Sequence, residues 1–305
     1  MLICQECQSE QAENAKFCNQ CGVKLTGLRP EFEIKNGTLM KYQGKSEQVI
    51  IPDTVSRIGA YAFSGNEVLK DVTVPNGVNH IMEGAFAGCI NLQNVTLPDT
   101  LAIIDTCAFS RCESLEKIEL PNSLTHINGM AFWKCKCLKE IKIPVNVSRI
   151  EREAFRECAS LEYVYFNAGL VRKTHDESDI FKDSGGEKGI KVVIGKDVRE
   201  LPSYIFAKSL PMFPNGDEAP SNIVSVEFEK RSKCKVIREG AFKNCKKLMS
   251  IDLPEGLREI HAFAFYHCER IKIAFPESIK SIKESAFCDC TLIDAPKNLP
   301  ITDWS

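Results

Sequence analysis

The sequence predicts an α/β-type repeat solenoid, in which about ten turns of roughly 23 residues each stack into one coil behind a small cysteine-rich N-terminal unit. Three observations predict it. An Ala-Phe pair returns at a constant spacing, of which Phe63, Phe86 and Phe109 are the first three copies. A proline precedes most of these phenylalanines by eleven residues, and two C-x-x-C pairs lie before Gly22. A repeat of this kind indicates units that bury their apolar faces only against their neighbours.

The composition is that of a globular chain, with 305 residues, of which 44% are hydrophobic and 26% charged, and a net charge of −2. This charge gives no general attraction for nucleic acid or for an anionic membrane. No apolar run reaches the roughly 18 residues of a membrane-spanning helix. The first residues contain neither a basic segment nor an apolar stretch of signal-peptide length. We therefore expect a cytoplasmic protein, with the cell surface as the alternative.

The first element is a metal-binding pattern formed by Cys4, Cys7, Cys18 and Cys21. Two residues between paired cysteines allow a tight turn to direct both sulfurs to one point, and two such turns supply four thiolates for tetrahedral Zn²⁺. Four thiolates leave no open position for a substrate, so we expect one structural zinc ion whose binding supplies the folding energy of this short unit. A redox-active dithiol is the alternative, and the absence of a surrounding βαβ pattern disfavours it.

The wording "ENAKFCNQCGVKL" around the second cysteine pair resembles the short N-terminal zinc ribbons of many bacterial proteins. The resemblance covers residues 2–26, and we assign residues 1–26 to a zinc ribbon. Residues 27–45 form a predicted linker with a capping hairpin, because Asn36 and Gly37 are the residues favoured in a two-residue β-turn.

Residues 46–305 contain the repeats. Alternating apolar residues precede each proline, as in "NVTLP", and predict a short β-strand that the proline ends. Two irregular insertions interrupt the period, at residues 167–189 and 211–220. The repeat phenylalanines are Phe63, Phe86, Phe109, Phe132, Phe155, Phe242, Phe265 and Phe287, with degenerate copies at Phe181 and Phe206.

Over residues 46–299 the units resemble the BspA-like leucine-rich repeats, which share the pattern LPxxLxxIxxxAFxxCxxLxxI. The resemblance implies a right-handed leucine-rich repeat coil with a parallel β-sheet on its concave side. Many members of that family are bacterial surface proteins that bind host or matrix proteins. It therefore also implies an alternative function, that of a surface or secreted adhesin.

A cysteine recurs three residues after the phenylalanine. The full column reads Asn66, Cys89, Cys112, Cys135, Cys158, Ser184, Ser209, Cys245, Cys268 and Cys290. Asparagine and serine cannot serve as disulfide partners, thiolate ligands or reactive thiols, but all three residue types are small and form hydrogen bonds. The column is therefore interpreted as buried residues that satisfy backbone groups where the coil turns.

Two outward rows of side chains run across the predicted sheet, four and two residues before each proline position. Tyr163 and Tyr165 are the only aromatic residues in these rows, and both lie in one unit. Because tyrosine is enriched at interface anchors, we expect Tyr163 and Tyr165, with Glu140 and Lys142 and the adjacent insertion, to bind a protein partner. Coverage of the tyrosines by a nearby loop is the alternative.

No catalytic triad, dinucleotide fingerprint or open metal site is recognisable, so the sequence predicts a non-enzymatic recognition scaffold. A basic run at residues 230–247 carries eight lysines and arginines and raises nucleic-acid association as a second alternative. We do not expect it, because stacking aromatic residues are not interleaved with these cations.

Overall fold

The structure of the protein is a computed structural model, which describes residues 2–4, 7, 9–11, 15, 17–22, 31–171, 174, 178–209, 222–293 and 301–302. It confirms the predicted solenoid: about 10 coils follow one another about 23 residues apart, and their strands pair in parallel with the strands of the next coil. The described residues contain almost no helix. One 3₁₀-helix, Glu284–Phe287, is the exception.

The strands that precede the prolines, together with their equivalents in coils without a proline, form sheet A. In each regular strand the apolar residue points into the coil while its neighbours point outward, as in Val72 between Asp71 and Thr73. The strands are β5 (Gln48–Ile50), β7 (Asp71–Thr73), β9 (Asn94–Thr96), β11 (Lys117–Ile118), β13 (Glu140–Ile143), β15 (Tyr163–Phe166), β16 (Ile190–Ile194), β18 (Ile223–Phe228), β20 (Ser250–Asp252), β22 (Glu269–Ala274) and β24 (Cys290–Ile293).

A second parallel sheet, sheet B, follows the prolines. Each of its strands has only two or three residues, so the sequence pattern, which predicted one strand per coil, is incomplete here. The strands are β6 (Arg57–Ile58), β8 (His80–Ile81), β10 (Ile103–Ile104), β12 (His126–Ile127), β14 (Arg149–Ile150), β17 (Glu200–Leu201), β19 (Val236–Ile237), β21 (Glu259–Ile260), β23 (Ser281–Lys283) and β25 (Ile301–Thr302).

The proline marks the bend between the two sheets. Val55 donates its backbone N–H to the carbonyl of Pro52 at 3.0 Å, and Leu101 does the same to Pro98 at 3.2 Å. Proline ends the sheet A strand because it has no N–H to donate. The chain therefore turns at this residue and enters sheet B just after the donor of this hydrogen bond, at Arg57 in the first coil.

Sheet A is divided into two parts. Strands β5 to β11 form a four-stranded ladder and strands β13 to β24 a seven-stranded one, but no ladder joins β11 to β13, both of which lie in the fully described range 31–171. The division leaves a groove on the outward face of the sheet at the level of Lys117 and Glu140.

A β-hairpin covers the first coil. Strands β3 (Phe32–Lys35) and β4 (Thr38–Tyr42) pair antiparallel, with Asn36 and Gly37 at φ values of 50° and 70° in the turn. Strand β4 then pairs in parallel with β6, so the hairpin covers the edge of sheet B. Tyr42 stacks on Phe63 at a ring-centroid distance of 5.0 Å. The division of the chain into ribbon, hairpin and solenoid domains stays a prediction.

The phenylalanines form one column through the solenoid. Phe86 and Phe109 stack at 5.2 Å with an interplanar angle of 1°, and the other consecutive rings lie between 4.8 and 5.8 Å apart. These spacings are close to the roughly 4.8 Å between paired strands, so the rings follow the stacking of the coils. Most of the rings are fully buried.

The first irregular insertion, 167–189, contributes to a coil where it is described. Phe181 stacks on Phe155 at 5.4 Å, and the backbone N–H of Phe155 donates to the carbonyl of Ile180 at 2.9 Å. Residues 172–173 and 175–177 of this insertion and the whole of the second insertion, 211–220, lie outside the described residues.

Candidate functional site

The four cysteines of the N-terminal pattern lie together. The Sγ atoms of Cys4, Cys7, Cys18 and Cys21 are all within 4.8 Å of one another, and the Cys4–Cys21 and Cys7–Cys18 pairs are 3.5 Å apart. A zinc–sulfur bond of about 2.3 Å gives a tetrahedron with edges of about 3.8 Å, so the spacing fits four thiolates around one Zn²⁺ ion. Within the described residues, this is the only group of three or more histidine, cysteine or carboxylate side chains with such spacing.

The local backbone explains why these sulfurs converge. Strand β1 (Leu2–Ile3) pairs antiparallel with β2 (Glu10–Gln11), which brings the first cysteine pair back toward the second. The chain then turns tightly at Gly22, whose backbone N–H donates to the carbonyl of Cys18 at 2.9 Å with a φ of 71°. A positive φ angle is one that glycine adopts without steric cost.

Hydrogen bonds favour the thiolate form at this cluster. Burial acts to raise the pKa of Cys18, but the Ser9 hydroxyl and the backbone N–H groups of Cys21 and Gln20 outweigh it and lower that pKa to about 5. Hydrogen bonding with the side chain and then the backbone of Ser9 likewise lowers the pKa of Cys7. Thiolates are the form that binds a metal, so the donor set suits a divalent cation.

The column cysteines lie in a different environment from the N-terminal cluster, because most of them are buried where the backbone of the coil bends. The Sγ of Cys89 donates to the carbonyl of Phe63 at 3.1 Å, and Cys112 donates to the carbonyl of Phe86 at 3.2 Å. Ser184 makes the equivalent bond at 2.6 Å. The same bond recurs at Cys135, Cys158, Cys245, Cys268 and Cys290. The interpretation of the column as a buried residue that satisfies the backbone is confirmed.

Two members of the column differ. Asn66 lies in the first coil, and its Oδ1 accepts the backbone N–H groups of Val68 and Leu69 at 3.0 Å. Ser209 donates its hydroxyl to Asp179 at 2.5 Å. Both residues are half-buried; Asn66 satisfies backbone groups, as the interpretation requires, whereas the hydroxyl of Ser209 bonds a carboxylate and departs from it.

Burial makes the thiols in the middle of the column unreactive. Burial raises the pKa of Cys89 and of Cys158 to about 12, and it holds the pKa values of Cys112 and Cys135 well above the ordinary range of a thiol. Thiols with raised pKa values are protonated at neutral pH and are poor nucleophiles. All fifteen cysteines are among the described residues, and all are thiols rather than halves of a disulfide.

The predicted partner-binding residues lie side by side on sheet A. Tyr163 is opposite Glu140 in the strand register, and Tyr165 is opposite Lys142. All four side chains point outward, and both tyrosines are half-buried. The four residues therefore share one surface, as the sequence predicted, and the binding of a partner there stays a prediction.

A contact that the sequence did not reveal fixes one of the tyrosines. The hydroxyl of Tyr165 donates to Oε2 of Glu229 at 2.9 Å, two strands away along the sheet. Burial, and then this hydrogen bond, raise the pKa of Tyr165 to about 12, and burial also raises the pKa of Tyr163. Both hydroxyls therefore stay protonated at physiological pH. Glu229 follows strand β18, and an irregular stretch of sequence lies between this strand and Tyr165. The contact could therefore be found only from the register of sheet A.

The groove between β11 and β13 adjoins the tyrosines. It has a volume of about 290 Å³, and its walls carry the side chains of Lys117, Glu119, Glu140 and Lys142. Lys117 and Glu119 lie in the outward rows, four and two residues before Pro121, but the sequence did not assign them to a site. In two adjacent coils the sign of the charge alternates between these residues and Glu140 and Lys142. This alternation is the sequence signal that could have identified them.

The basic run at residues 230–247 does not form a uniformly positive surface. Lys233 pairs with Asp197 at 2.6 Å and Arg238 with Glu200 at 2.5 Å, so acidic groups from neighbouring coils offset these cations. Phosphate backbones are bound by clustered cations without such partners.

In the described residues, no helix has the length and apolarity to cross a membrane.

The chain belongs to the family described as BspA type leucine-rich repeat region. The sequence pattern of that family matches six copies over residues 33–162, 79–212 and 219–299, which together cover most of the chain. A comparison with curated proteins finds no match.

Several solved structures are similar to this chain. A leucine-rich repeat protein of T. pallidum (TpLRR) is 23% identical, with 79% of this chain and 86% of that chain covered and a TM-score of 0.46. A leucine-rich repeat protein from Bacteroides ovatus is 23% identical, with coverages of 89% and 88% and a TM-score of 0.47. The pneumococcal vaccine antigen PcpA is 22% identical, with coverages of 89% and 74% and a TM-score of 0.48.

Proposed function

We propose that this chain is a non-enzymatic protein-recognition scaffold that binds a protein partner through the outward face of sheet A. The observation that carries the proposal is the pair Tyr163 and Tyr165, two aromatic side chains in rows that otherwise hold polar, charged or aliphatic residues. Half-buried tyrosines combine a fixed apolar ring with a hydroxyl, which suits them to anchor an interface at low entropic cost.

The surroundings of the tyrosines support this proposal. The hydrogen bond from Tyr165 to Glu229 holds one ring in place before any partner arrives. Lys142 and Glu140 lie 3.8 Å apart on the adjacent strand, where they are exposed enough to exchange partners. A rigid aromatic centre with a charged rim is the usual arrangement of a protein interface.

The test is a comparative affinity purification from the native cell with the full chain as bait. The Tyr163→Ala/Tyr165→Ala variant should lose a specifically captured protein by at least about tenfold relative to the wild type. Tyr61→Ala/Tyr204→Ala is the matched control, because those tyrosines lie at the turns and bind glutamates of the next coil. Equal capture by both double variants would contradict the proposal.

We also propose that Cys4, Cys7, Cys18 and Cys21 hold one structural zinc ion. The convergence of their Sγ atoms and the hydrogen bonds to Cys18 support it. The metal would supply the folding energy of a unit that has little apolar core of its own. The ion would have no open coordination position and so would take part in no reaction.

Metal analysis of the purified chain tests the zinc proposal. The wild type should contain one zinc per chain, and Cys18→Ser should contain much less, while Cys137→Ser, which removes an exposed cysteine of the solenoid, should retain it. A chelator should release the metal and leave the thermal unfolding of the solenoid unchanged. Zinc retained by Cys18→Ser at wild-type stoichiometry would contradict this assignment.

We further propose that the scaffold works in the cytoplasm, with a surface or secreted adhesin as the alternative that the family allows. Support comes from the column cysteines, because thiols without disulfides persist most readily in a reducing compartment. Fractionation of the native cell with an antibody to the chain separates the two. Recovery of the protein mainly in the envelope or medium would favour the adhesin.

A further inference from the structure

Four charged side chains at the centre of sheet A alternate in sign in both directions. Along β11 and its continuation, Lys117 pairs with Glu119 at 2.9 Å, and along β13 Glu140 lies 3.8 Å from Lys142. Across the groove, Lys117 is beside Glu140, and Glu119 is beside Lys142. The side chains of all four are more than one-third exposed, so water screens the existing pairs and each side chain can change partner at little cost.

Such a square of charges is complementary to a copy of itself. A two-fold axis that runs parallel to the strands, above the groove, brings β11 of one copy over β13 of the other. Lys117 then faces Glu140 of the second copy, and Glu119 faces Lys142. Because the axis repeats each contact, the four side chains form four opposite-charge pairs across the interface and no like-charge pair.

The same axis matches the strands on either side of the groove. Across the eight coils from β5 to β18, no two like charges of the outward rows meet. The additional facing pairs are Asp71 with Lys191, Asn94 with Tyr163, Thr96 with Tyr165, Thr73 with Val193, Gln48 with Ser225 and Ile50 with Glu227.

Moving the axis by one coil destroys this match. An axis between β13 and β15 would place Lys117 over Lys191, two cations that the sheet register holds three coils apart. Like-charge juxtaposition across an interface costs several kcal/mol and is a common means of excluding wrong arrangements. Among axes parallel to the strands, the charge pattern therefore favours the one between β11 and β13.

From this complementarity we infer that the protein partner of sheet A is a second copy of this chain, docked face to face about a two-fold axis parallel to the strands and located between β11 and β13. The inference rests on the proposed recognition function and names its partner. The groove on the axis gives the long side chains of the two copies room to interdigitate. Tyr163 and Tyr165 lie one coil from the axis and flank the charged centre.

The area buried between the two copies sets the expected affinity of the dimer. Eight strands spaced about 4.8 Å apart, each about 13 Å wide, bury roughly 1,000 Å² over the two copies together. This is near the lower limit of specific interfaces, so the dimer should dissociate in the micromolar range, with a Kd on the order of 10 µM. Sedimentation velocity over a concentration series measures it.

Reciprocal charge reversal tests the inference with two single variants of the full chain. Lys117→Glu alone places a new carboxylate over Glu140 of its copy, and Glu140→Lys alone places a new ammonium over Lys117. Each variant should associate at least about tenfold more weakly than the wild type. An equal mixture of the two should associate like the wild type, because each new charge faces its opposite and the unchanged Lys117 and Glu140 face each other.

The double variant Lys117→Glu/Glu140→Lys should also associate like the wild type. A two-fold axis perpendicular to the strands would instead place position 117 over Glu119 and abolish association of the double variant. Glu255→Lys, an equal charge change at an exposed turn, is the control and should leave association unchanged. Thermal unfolding of each variant checks that the chain is folded.

A monomeric wild type at about 100 µM, single variants that still associate normally, or a mixture that fails to associate would each overturn the inference. These results are distinguishable from failure of the recognition proposal. A monomeric wild type that still captures a different protein in a tyrosine-dependent way removes only self-association. A wild-type dimer whose captured proteins are all insensitive to the tyrosines leaves the second copy as the partner.

Discussion

At most bends of the coil, a small side chain donates a hydrogen bond to the backbone carbonyl of the repeat phenylalanine one coil earlier. Cysteine, at 3.1 Å for Cys89 and 3.4 Å for Cys245, and serine, at 2.6 Å for Ser184, both serve. The carbonyl of Phe86 already accepts the backbone N–H of Cys89 at 3.1 Å, so the side chain of Cys112 supplies a second hydrogen bond, worth about 0.5–1.5 kcal/mol. The donor, not the sulfur, is what this position requires.

Substitution of Cys112 tests this requirement. Cys112→Ser should change the free energy of unfolding by less than about 1 kcal/mol, because the hydroxyl takes over the bond to the carbonyl of Phe86. Cys112→Ala removes this donor from a carbonyl that keeps its bond from Cys89, and it should cost about 0.5–1.5 kcal/mol more than the serine variant. Chemical denaturation of both variants measures the difference, and equal destabilisation would show that the hydrogen bond contributes nothing.

Most of the repeat phenylalanines are flanked by residues in the left-handed region of φ, one two positions before the ring and one two positions after it. The position two residues after Phe63 and Phe86 is glycine, but after Phe109 it is Arg111, with a φ of 60°. The left-handed conformation costs a non-glycine residue about 1 kcal/mol. This strain could not be predicted from the sequence, because the residue types at these positions vary from coil to coil, while the fold of the bend sets the backbone angle.

Arg111→Gly should therefore stabilise the protein by about 0.5–1 kcal/mol, despite the greater entropy of glycine in the unfolded chain. Arg111 is exposed, so the substitution removes no buried contact. Arg111→Ala is the control, since alanine keeps the strain and should give no gain. Thermal unfolding of the pair measures the effect, and equal stability of the glycine and alanine variants would contradict the strain argument.

At the scale of elements, the strands of sheet A could be predicted from the sequence, whereas the shorter strands of sheet B could not. Sheet A follows from the alternation before each proline, as in Val95 between two outward residues, because three residues suffice to show a period of two. The strands of sheet B, such as Arg57–Ile58, contain too few residues to show any period. The hairpin turn at Asn36 and Gly37 was predictable, but its pairing with sheet B was not.

The stacked phenylalanine rings pack neighbouring coils against each other. The free energy of unfolding lost when one ring is removed depends on its position in the stack. Phe109→Ala in the middle of the stack should reduce the free energy of unfolding by about 3–5 kcal/mol, since the ring is fully buried between Phe86 and Phe132. Phe287→Ala should cost roughly half as much, because that ring is half-buried and has one stacked neighbour. Denaturant titration compares the two, and equal losses would contradict a stack supported from both sides.

At the scale of the whole molecule, each coil contacts its neighbours and depends on them for burial. Two groups of residues are assigned a function, the four N-terminal cysteines and the charged and aromatic residues on the outward face of sheet A. The four N-terminal cysteines were identifiable because their spacing reports a shared geometry, and the structure brings them together. The charges facing the groove, such as Lys117 and Glu119, became a site only when the division between β11 and β13 and the register of the strands were known.

The central claim is that the coils are held by packing and by hydrogen bonds from thiols, without cross-links between coils. Alkylation of the protein before and after unfolding, without reductant and read by mass spectrometry, tests it most directly. The exposed Cys137 and Cys288 should react in the folded protein, whereas the fully buried Cys112 and Cys135 should react only after unfolding, because burial keeps them protonated and inaccessible. A disulfide-linked peptide that joins two column cysteines, or alkylation of the folded column at the rate of the exposed thiols, would contradict the account.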